Sequence, residues 1–317
     1  QHQETAQKLV AAYQGPEPLS AYLKKYFAAN KKHGSKDRKS ISAFCYAYFR
    51  DMHADFPLQD AISKEIDIPT FIHSHTIQPL LFIRIRPWQK EKVVAALLAA
   101  SIEYTQVHEH CFAFSNTTAL QNVLALNKEA VIQDLNSQAL AELLNFVPTS
   151  METPIHVWDA CAASGGKTIL MFDTMQNIRM HVSDVRESIL FNADKRLQEA
   201  GIRPASVQVI DLTEPFDIKK PFDFVFADLP CSGSGTWGRT PEQIAFFKKE
   251  NLNTYTQLQS KIIENILPTV KLDGHLLIAT CSVYAAENEA HVNAILAQGQ
   301  FDEILPQLLL SHDCLPF

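Results

Sequence analysis

From Pro154 onward, short apolar runs that read as strands alternate with runs of helical period, and this alternation limits what the second half of the chain can become. Ile155-His156-Val157-Trp158 reads as a buried strand, Thr168 to Met175 as a helix start and Met180 to Ser183 as a strand. Glu187 to Ala200 reads as a helix closed by Gly201, and Val207 to Ile210 and Phe222 to Ala227 as strands. Helices are predicted at Gln243 to Lys249 and Thr254 to Val270, a strand at His275 to Thr280 and a helix at Glu287 to Leu296. Strands joined through helices line up in parallel, so residues 151–317 are predicted to form an α/β domain with a doubly wound parallel sheet. Ligands of such sheets sit beyond the carboxyl ends of the strands.

Two further segments precede this domain. Residues 1–65 read as helical, with apolar residues at helical spacing in Leu19-Tyr22-Leu23-Tyr26-Phe27 and Ile41-Phe44-Cys45-Tyr48-Phe49. Between positions 20 and 50 lie Lys24, Lys25, Lys31, Lys32, Lys36, Arg38, Lys39 and Arg50 against Asp37 alone, a local charge of +7 (eight minus one) in a chain of net charge −7. A solvated helix face and a phosphate-tracking patch both fit that charge. Residues 66–150 read as a small α+β domain with a connecting helix. Its strands are predicted at Leu80 to Arg86, Tyr104 to Val107 and Cys111 to Phe114, and its helices at Gln89 to Ser101 and Ala130 to Phe146.

Several classes drop out on composition. The longest apolar run, Val93 to Ile102, is too short to span a bilayer. Gln1 to Lys8 is polar and shows no secretory signal, and the first residue is not Met. The six cysteines, at 45, 111, 161, 231, 281 and 314, have no metal-ligand spacing and read as reduced thiols, which predicts a cytoplasmic protein without a metal or a membrane partner. No feature indicates an oligomer, and a monomer is assumed.

Glycine is the informative count. Only ten are present, and five of them, Gly165, Gly166, Gly233, Gly235 and Gly238, fall in two short loops. The first loop is Asp159-Ala160-Cys161-Ala162-Ala163-Ser164-Gly165-Gly166-Lys167-Thr168. Gly166-Lys167-Thr168 matches the end of a phosphate-binding P-loop, and Phe224 to Asp228 could pass for its magnesium-binding strand. Against that, the first P-loop glycine would fall on Cys161, and Asp159 would lie beside a polyphosphate that it repels. A carboxylate there suits a positively charged ligand such as S-adenosylmethionine (SAM). Asp184, 18 residues beyond Gly166, ends the next strand where an acid accepts from ribose hydroxyls, and Asp211 ends the third, within reach of an adenine amino group. Either acid could instead cap a helix.

Ala227 to Glu242 (ADLPCSGSGTWGRTPE) and Ala279-Thr280-Cys281-Ser282-Val283-Tyr284, followed by Glu287-Asn288-Glu289, each place a cysteine and then a serine just past a strand. Together with the glycine loop these residues resemble the Fmu/Sun family of SAM-dependent RNA (cytosine-5) methyltransferases. The resemblance spans about Gln133 to Glu289, with Gln133 to Gln138 similar to the family's segment ahead of the catalytic domain. Gly34-Ser35-Lys36-Asp37-Arg38-Lys39 is similar to its N-terminal helical extension. It implies a Rossmann-like SAM-dependent methyltransferase domain, an RNA-recognition-like role for the small domain over 66–150, RNA as substrate and ribosomal RNA in particular; the alternative readings are a SAM-binding RNA assembly factor without turnover and a methyltransferase acting on a protein or small molecule. It implies that Cys281 is the nucleophile adding to cytosine C6, that Cys231 assists release by helping to remove the C5 proton, and that Asp228 hydrogen-bonds the cytosine N3/N4 edge. The cofactor residues it implies are Asp159, Cys161, Ala162, Ala163, Ser164, Gly165, Gly166, Lys167, Asp184, Arg186, Asp211 and Asp228; Pro230 and Arg239 would meet the substrate. A thiol needs help to ionise at neutral pH, and Lys167 and the nearby helix N-terminus are the candidate sources. Arg84 and Arg86 are expected to join the basic segment on RNA phosphates. Two positions depart from the family, Ser164 where it usually has Pro and Gly238 where it usually has a second Arg. The family's closing strands are not recognisable in Phe301 to Phe317.

Overall fold

Apolar residues three and four apart give three helices at the start of the chain, α1 (His2–Ala12), α2 (Leu19–Ala29) and α3 (Ser35–Arg50). The structure, a computed structural model, describes residues 1–15, 17–52, 55–217 and 220–304; Cys314 and the segment from 305 onward lie outside the described residues. Leu19, Leu23 and Phe27 of α2 and Ile41, Cys45 and Phe49 of α3 bury one stripe, joined by Ala6, Leu9 and Tyr13. The Asp37 carboxylate accepts from the Gly34 N–H at 2.9 Å and fixes the start of α3. Helix α4 (Ile68–Ser74) comes next, opened by Asp67, which accepts from the Thr70 N–H, and by Pro69 in its first turn.

The small α+β segment holds β1 (Leu81–Ile85), α5 (Lys90–Ala99), β2 (Thr105–His108), β3 (Cys111–Phe114) and β4 (Ala130–Ile132). They form an antiparallel sheet of order β2-β3-β1-β4. Alternation along β1 and β3 sends Ile83, Ile85, Phe112 and Phe114 against Val93 and Leu97 of α5, and Phe82, Cys111 and Ala113 to the other face, against Leu135. Both faces of the two central strands are therefore covered.

One predicted helix is corrected here. The run from Ala130 to Phe146 is a strand and then a helix, α6 (Leu135–Leu144). Val131 and Ile132 are β-branched and pair with Arg84 and Ile83 of β1, and the chain turns helical only beyond Asp134, which stands at the N-cap in extended conformation.

The parallel sheet forms where the alternation places it. Its elements are β5 (Ile155–Asp159), α7 (Gly166–Thr174), β6 (Ile178–Asp184), α8 (Glu187–Glu199), β7 (Ser206–Val209), β8 (Phe222–Asp228), the short α9 (Glu242–Phe246), α10 (Lys249–Ile266), β9 (Val270–Ala279) and α11 (Glu289–Leu296). Strand order is β7-β6-β5-β8-β9, all parallel. Order reverses at β5, where the chain leaves β7 and crosses to β8, and this is the switch point at which such sheets bind ligands. The helix expected at Thr254 to Val270 starts earlier and stops earlier. Asn251 accepts from the Lys248 N–H at 2.9 Å and caps its start, and Pro268 cannot continue it, so β9 already begins at Val270. No helix among the described residues is long and apolar enough to cross a membrane.

The chain divides into two compact units, neither contiguous in sequence. One comprises Gln1–Pro79, Ser232–Tyr255 and Cys281 onward. The other comprises Leu80–Cys231 and Thr256–Thr280, and so holds both sheets.

Candidate active site

The sheet unit carries the cofactor edge. After β5, the loop is pinned at both sides: the Ala160 N–H donates to Phe226 O and the Ala162 N–H to Ser183 O, each at 2.9 Å. Ala163 and Gly165 take positive φ, 45° and 79°. A Cβ on Gly165 would meet the Ala193 Cβ at 3.4 Å, so glycine lets the loop lie close on α8 as α7 begins. Ser164, the departure from the family's Pro, is tied down: Arg196 donates to its carbonyl at 2.8 Å and its hydroxyl at 3.0 Å.

Asp159 is wholly buried and accepts from the Thr168 hydroxyl at 2.5 Å. Its Oδ1 has no hydrogen-bond partner. Desolvation pushes the carboxyl up to about 7, opposed by the Thr168 bond and assisted by the charge of Asp228. The same burial raises the half-buried Cys161 thiol, which makes it a poor nucleophile at neutral pH.

Asp184 is 5% exposed. Its Oδ1 accepts from the Arg186 N–H and Nε, and its Oδ2 from the Ala163 N–H and Arg186 Nη2, at 2.9–3.2 Å. Desolvation raises this carboxyl, but the Arg186 bonds and charge outweigh it and the net shift is downward, so Asp184 is a carboxylate at neutral pH. With four donors already present, a diol reaching Asp184 must displace the Arg186 guanidinium, whose side chain is 57% exposed and able to swing away. Asp211 is exposed and turns its carboxylate back on Thr213, accepting from its N–H and hydroxyl, which hold it low.

At the end of β8, Asp228 pairs with Lys167 at 2.6 Å, both side chains 23% exposed. The pairing places the Lys167 ammonium against the Asp228 carboxylate at the end of β8. Register partners Asp228 and Ala279 close β8 and β9 side by side. Leu229-Pro230-Cys231 continues from the first, with the Pro230 carbonyl accepting from Gln259 at 2.9 Å, and Thr280-Cys281 continues from the second. Pro230 is exposed, Cys231 half-buried and Cys281 exposed, and none of the five described cysteines is in a disulfide.

The serine next after each cysteine belongs to the other unit. Ser232, Ser234, Ser282 and Glu287 form one hydrogen-bonded cluster there, and the Gly235 N–H donates to Cys281 O at 2.9 Å. No role for these serines or for Glu287 is legible in the sequence; the signal is that each cysteine is followed by Ser and the second by an acid five residues beyond its Ser. Gly238, the second departure, gives its carbonyl to Arg50 Nη2 at 3.1 Å. A Cβ there would lie 3.2 Å from Pro79 Cγ, so a long side chain would have to thread past that ring. Arg239 is half-buried.

Two expectations about the basic residues are corrected. Arg84 and Arg86 do not face RNA. Their side chains are 7% and 13% exposed and converge on Asp173, itself 6% exposed, at 2.6 and 2.7 Å. Arg50 is buried, on Gly238. Lys24, Lys25, Lys31, Lys32, Lys36, Arg38 and Lys39 carry the positive face without it, and Phe44 and Tyr48 are exposed further along α3.

The model of the family described as 16S rRNA methyltransferase RsmB/F matches residues 141–311, more than half of the chain. Ribosomal RNA small subunit methyltransferase B of Xylella fastidiosa is 30% identical over 172 residues, and its namesake from Yersinia pseudotuberculosis serotype O:1b 32% over 167. The matches take in 54% and 52% of this chain but only 38% of either relative, so the chain spans about two fifths of the length of the curated relatives it matches. Among solved structures, a methyltransferase homolog from Pyrococcus horikoshii superposes with a TM-score of 0.63 at 19% identity, covering 79% of this chain and 82% of that one. NSun6 from Pyrococcus horikoshii, crystallised with SFG, gives 0.64 at 14% identity, covering 79% and 87%. These two share the Rossmann-like fold of SAM-dependent methyltransferases with this chain.

Proposed function

The chain belongs to the 16S rRNA methyltransferase RsmB/F family, and from that premise we propose that it transfers a methyl group from SAM to C5 of a cytosine in RNA, of the ribosomal small subunit. The observation that carries this reading is the pairing of β8 with β9: two cysteines, each followed by Ser, stand just past the paired ends of neighbouring strands. That edge is continuous with the glycine loop and with Asp159, Asp184 and Asp228. A P-loop reading fits this edge poorly, because Cys161 stands where the loop's first glycine would be and Asp159 lies at the head of the loop.

The residues present fit SAM. Asp159 offers a buried oxygen with no partner, Ala162 to Gly166 bring backbone close, and Asp184 is a ribose acceptor once Arg186 moves. When bound, SAM supplies the electrophilic methyl group. The chain's own residues do the rest. Cytosine C5 is a poor nucleophile, and addition of the Cys281 thiolate to C6 turns the ring into an enamine-like carbanion equivalent at C5. Asp228 accepts from the N4 amino group of the cytosine edge, and Lys167 beside it is the cation facing the charge that develops there. After methylation, Cys231 helps to remove the C5 proton, and the Cys281 sulfur leaves as C5=C6 re-forms. The target base must leave any stack to reach this edge. The seven cationic residues between Lys24 and Lys39 supply phosphate contacts for an otherwise acidic chain.

The test uses the two cysteines against each other. Cys281→Ala is expected to abolish turnover while SAM still binds. Cys231→Ala is expected to trap a covalent protein–RNA adduct, seen as a shifted band on a denaturing gel. An adduct with Cys281→Ala and none with Cys231→Ala reverses the assignment.

A further inference from the structure

Glu287 is 0% exposed, and hydroxyl and amide groups crowd its carboxylate. A buried carboxylate is tolerated only where donors converge on it. Here they come from both cysteine-bearing loops. The Ser232 N–H donates to Oε1 at 2.8 Å, the Ser232 hydroxyl to Oε2 at 2.5 Å, and the Ser282 hydroxyl to the same Oε2. The two serine oxygens lie 3.2 Å apart, and Ser234 Oγ lies 3.1 Å from one and 3.2 Å from the other. Ser234 Oγ in turn accepts from the Val283 N–H at 2.9 Å, and Ser282 Oγ from the Tyr284 N–H at 3.1 Å.

The contacts fall on particular peptide groups. The N–H held by Glu287 Oε1 belongs to the peptide that joins Cys231 to Ser232. The carbonyl held by Gly235 belongs to the peptide that joins Cys281 to Ser282. Each cysteine thus has its following peptide fixed, the first by the Glu287 carboxylate and the second by the N–H of Gly235, next in the chain to Ser234 of the cluster. A helix cap would need one loop only. A generic stabilising contact would have no reason to choose the serine after each cysteine.

We propose that Glu287 is a positioning residue for methyl transfer: through Ser232 and Ser282 its carboxylate locks the two cysteine loops in a single relative geometry, so that one thiol adds to the base while the other is set to assist release. This rests on the assignment of Cys281 and Cys231 made above. Misplacement of reacting groups by about 1 Å costs on the order of 100-fold in rate, whereas SAM, held by residues of other loops, is unaffected.

The experiment measures adduct formation on RNA in the Cys231→Ala background, with and without Glu287→Ala, on a denaturing time course with SAM present. Expected is a fall of about 10- to 100-fold in the rate of adduct appearance, with SAM affinity by calorimetry unchanged within about twofold. Ser282→Ala, which removes one leg of the cluster and leaves the carboxylate its other donors, is expected to slow the rate by less, and it decides the matter if Glu287→Ala does not fold. Equal adduct rates with and without the substitution overturn the proposal while leaving the cysteine assignment standing. Absence of any adduct with Glu287 intact overturns the cysteine assignment instead. The proposal is then judged on turnover, where an unchanged kcat for Glu287→Ala refutes it.

Discussion

Replacing Asp173 by Ala should damage stability far more than an exposed ion pair would allow. Its carboxylate is 6% exposed and takes Arg84 Nη1 at 2.6 Å, Arg86 Nη2 at 2.7 Å and Arg86 Nε at 3.1 Å. Arg84 also donates to Gln133 at 2.9 Å, and Arg86 to the Ala200 carbonyl at 2.5 Å and the Asn127 carbonyl at 3.1 Å. Removing the anion leaves two guanidiniums buried and held in place by these other bonds. Breaking a buried pair from one side costs about 3–5 kcal/mol, which for a unit of this size is roughly 6–20 °C in melting temperature. Circular dichroism melts of wild type and Asp173→Ala read this directly. A melting temperature within about 2 °C of wild type, below the smallest shift expected for 1 kcal/mol, would refute the reasoning. Arg84→Met sharpens the test: it should leave the salt slope of RNA binding unaltered, because a buried arginine makes no phosphate contact.

Three further outcomes are expected. Because the Asp159 carboxyl is raised from its ordinary range to about 7, the folded chain holds a proton that the unfolded chain releases between about pH 4 and 7, and stability from this group is present below about pH 4 and lost as pH rises through 7. The melting-temperature advantage of Asp159→Asn over wild type should therefore widen from about pH 5 to about pH 8; a constant or shrinking gap sinks the idea. Asp184→Ala removes an acceptor for two ribose hydroxyls and should weaken SAM by about 5- to 150-fold, a loss of roughly 1–3 kcal/mol, while tight magnesium-dependent ATP binding by the wild type would revive the P-loop reading. Changing Lys31, Lys32, Lys36 and Lys39 to Glu should weaken RNA binding and flatten its dependence on salt by about 0.7–0.9 for every phosphate no longer neutralised; an unaltered slope would make the patch a solvated helix face.

The features legible in the chain alone were local. Glycine placement and the alternation after Pro154 located the β5 loop, and strand-end acids located Asp159, Asp184 and Asp228, because each is encoded within a few residues. Most of the misreadings involve partners distant in sequence; the early start and stop of α10 are set locally, by Asn251 and Pro268. Arg84 and Arg86 look like RNA contacts until Asp173, far along the chain, is seen between them. Arg50 belongs to a basic run by sequence and to the Gly238 carbonyl in space. Val131 and Ile132 run directly into the helical pattern of α6, and pairing with β1 draws these β-branched residues into a strand. Glu287 is one of a recognisable Glu-Asn-Glu, yet nothing local tells which serines it will hold.

The division of the chain has a kinetic consequence. The unit built on the N-terminal helices is closed by contacts such as Leu19 N–H to Glu242, at 3.1 Å across 223 positions, and Ser63 N–H to the Val283 carbonyl at 2.9 Å. On a ribosome α1 to α3 emerge well before Ser232–Tyr255 and the segment from Cys281, without which their unit cannot be completed. Loops of that length cost entropy that local contacts do not repay beforehand. At roughly 5–20 residues per second the helices wait on the order of ten seconds or more with apolar surface uncovered, an interval in which a chaperone has more to protect than in a chain whose domains are made one after another.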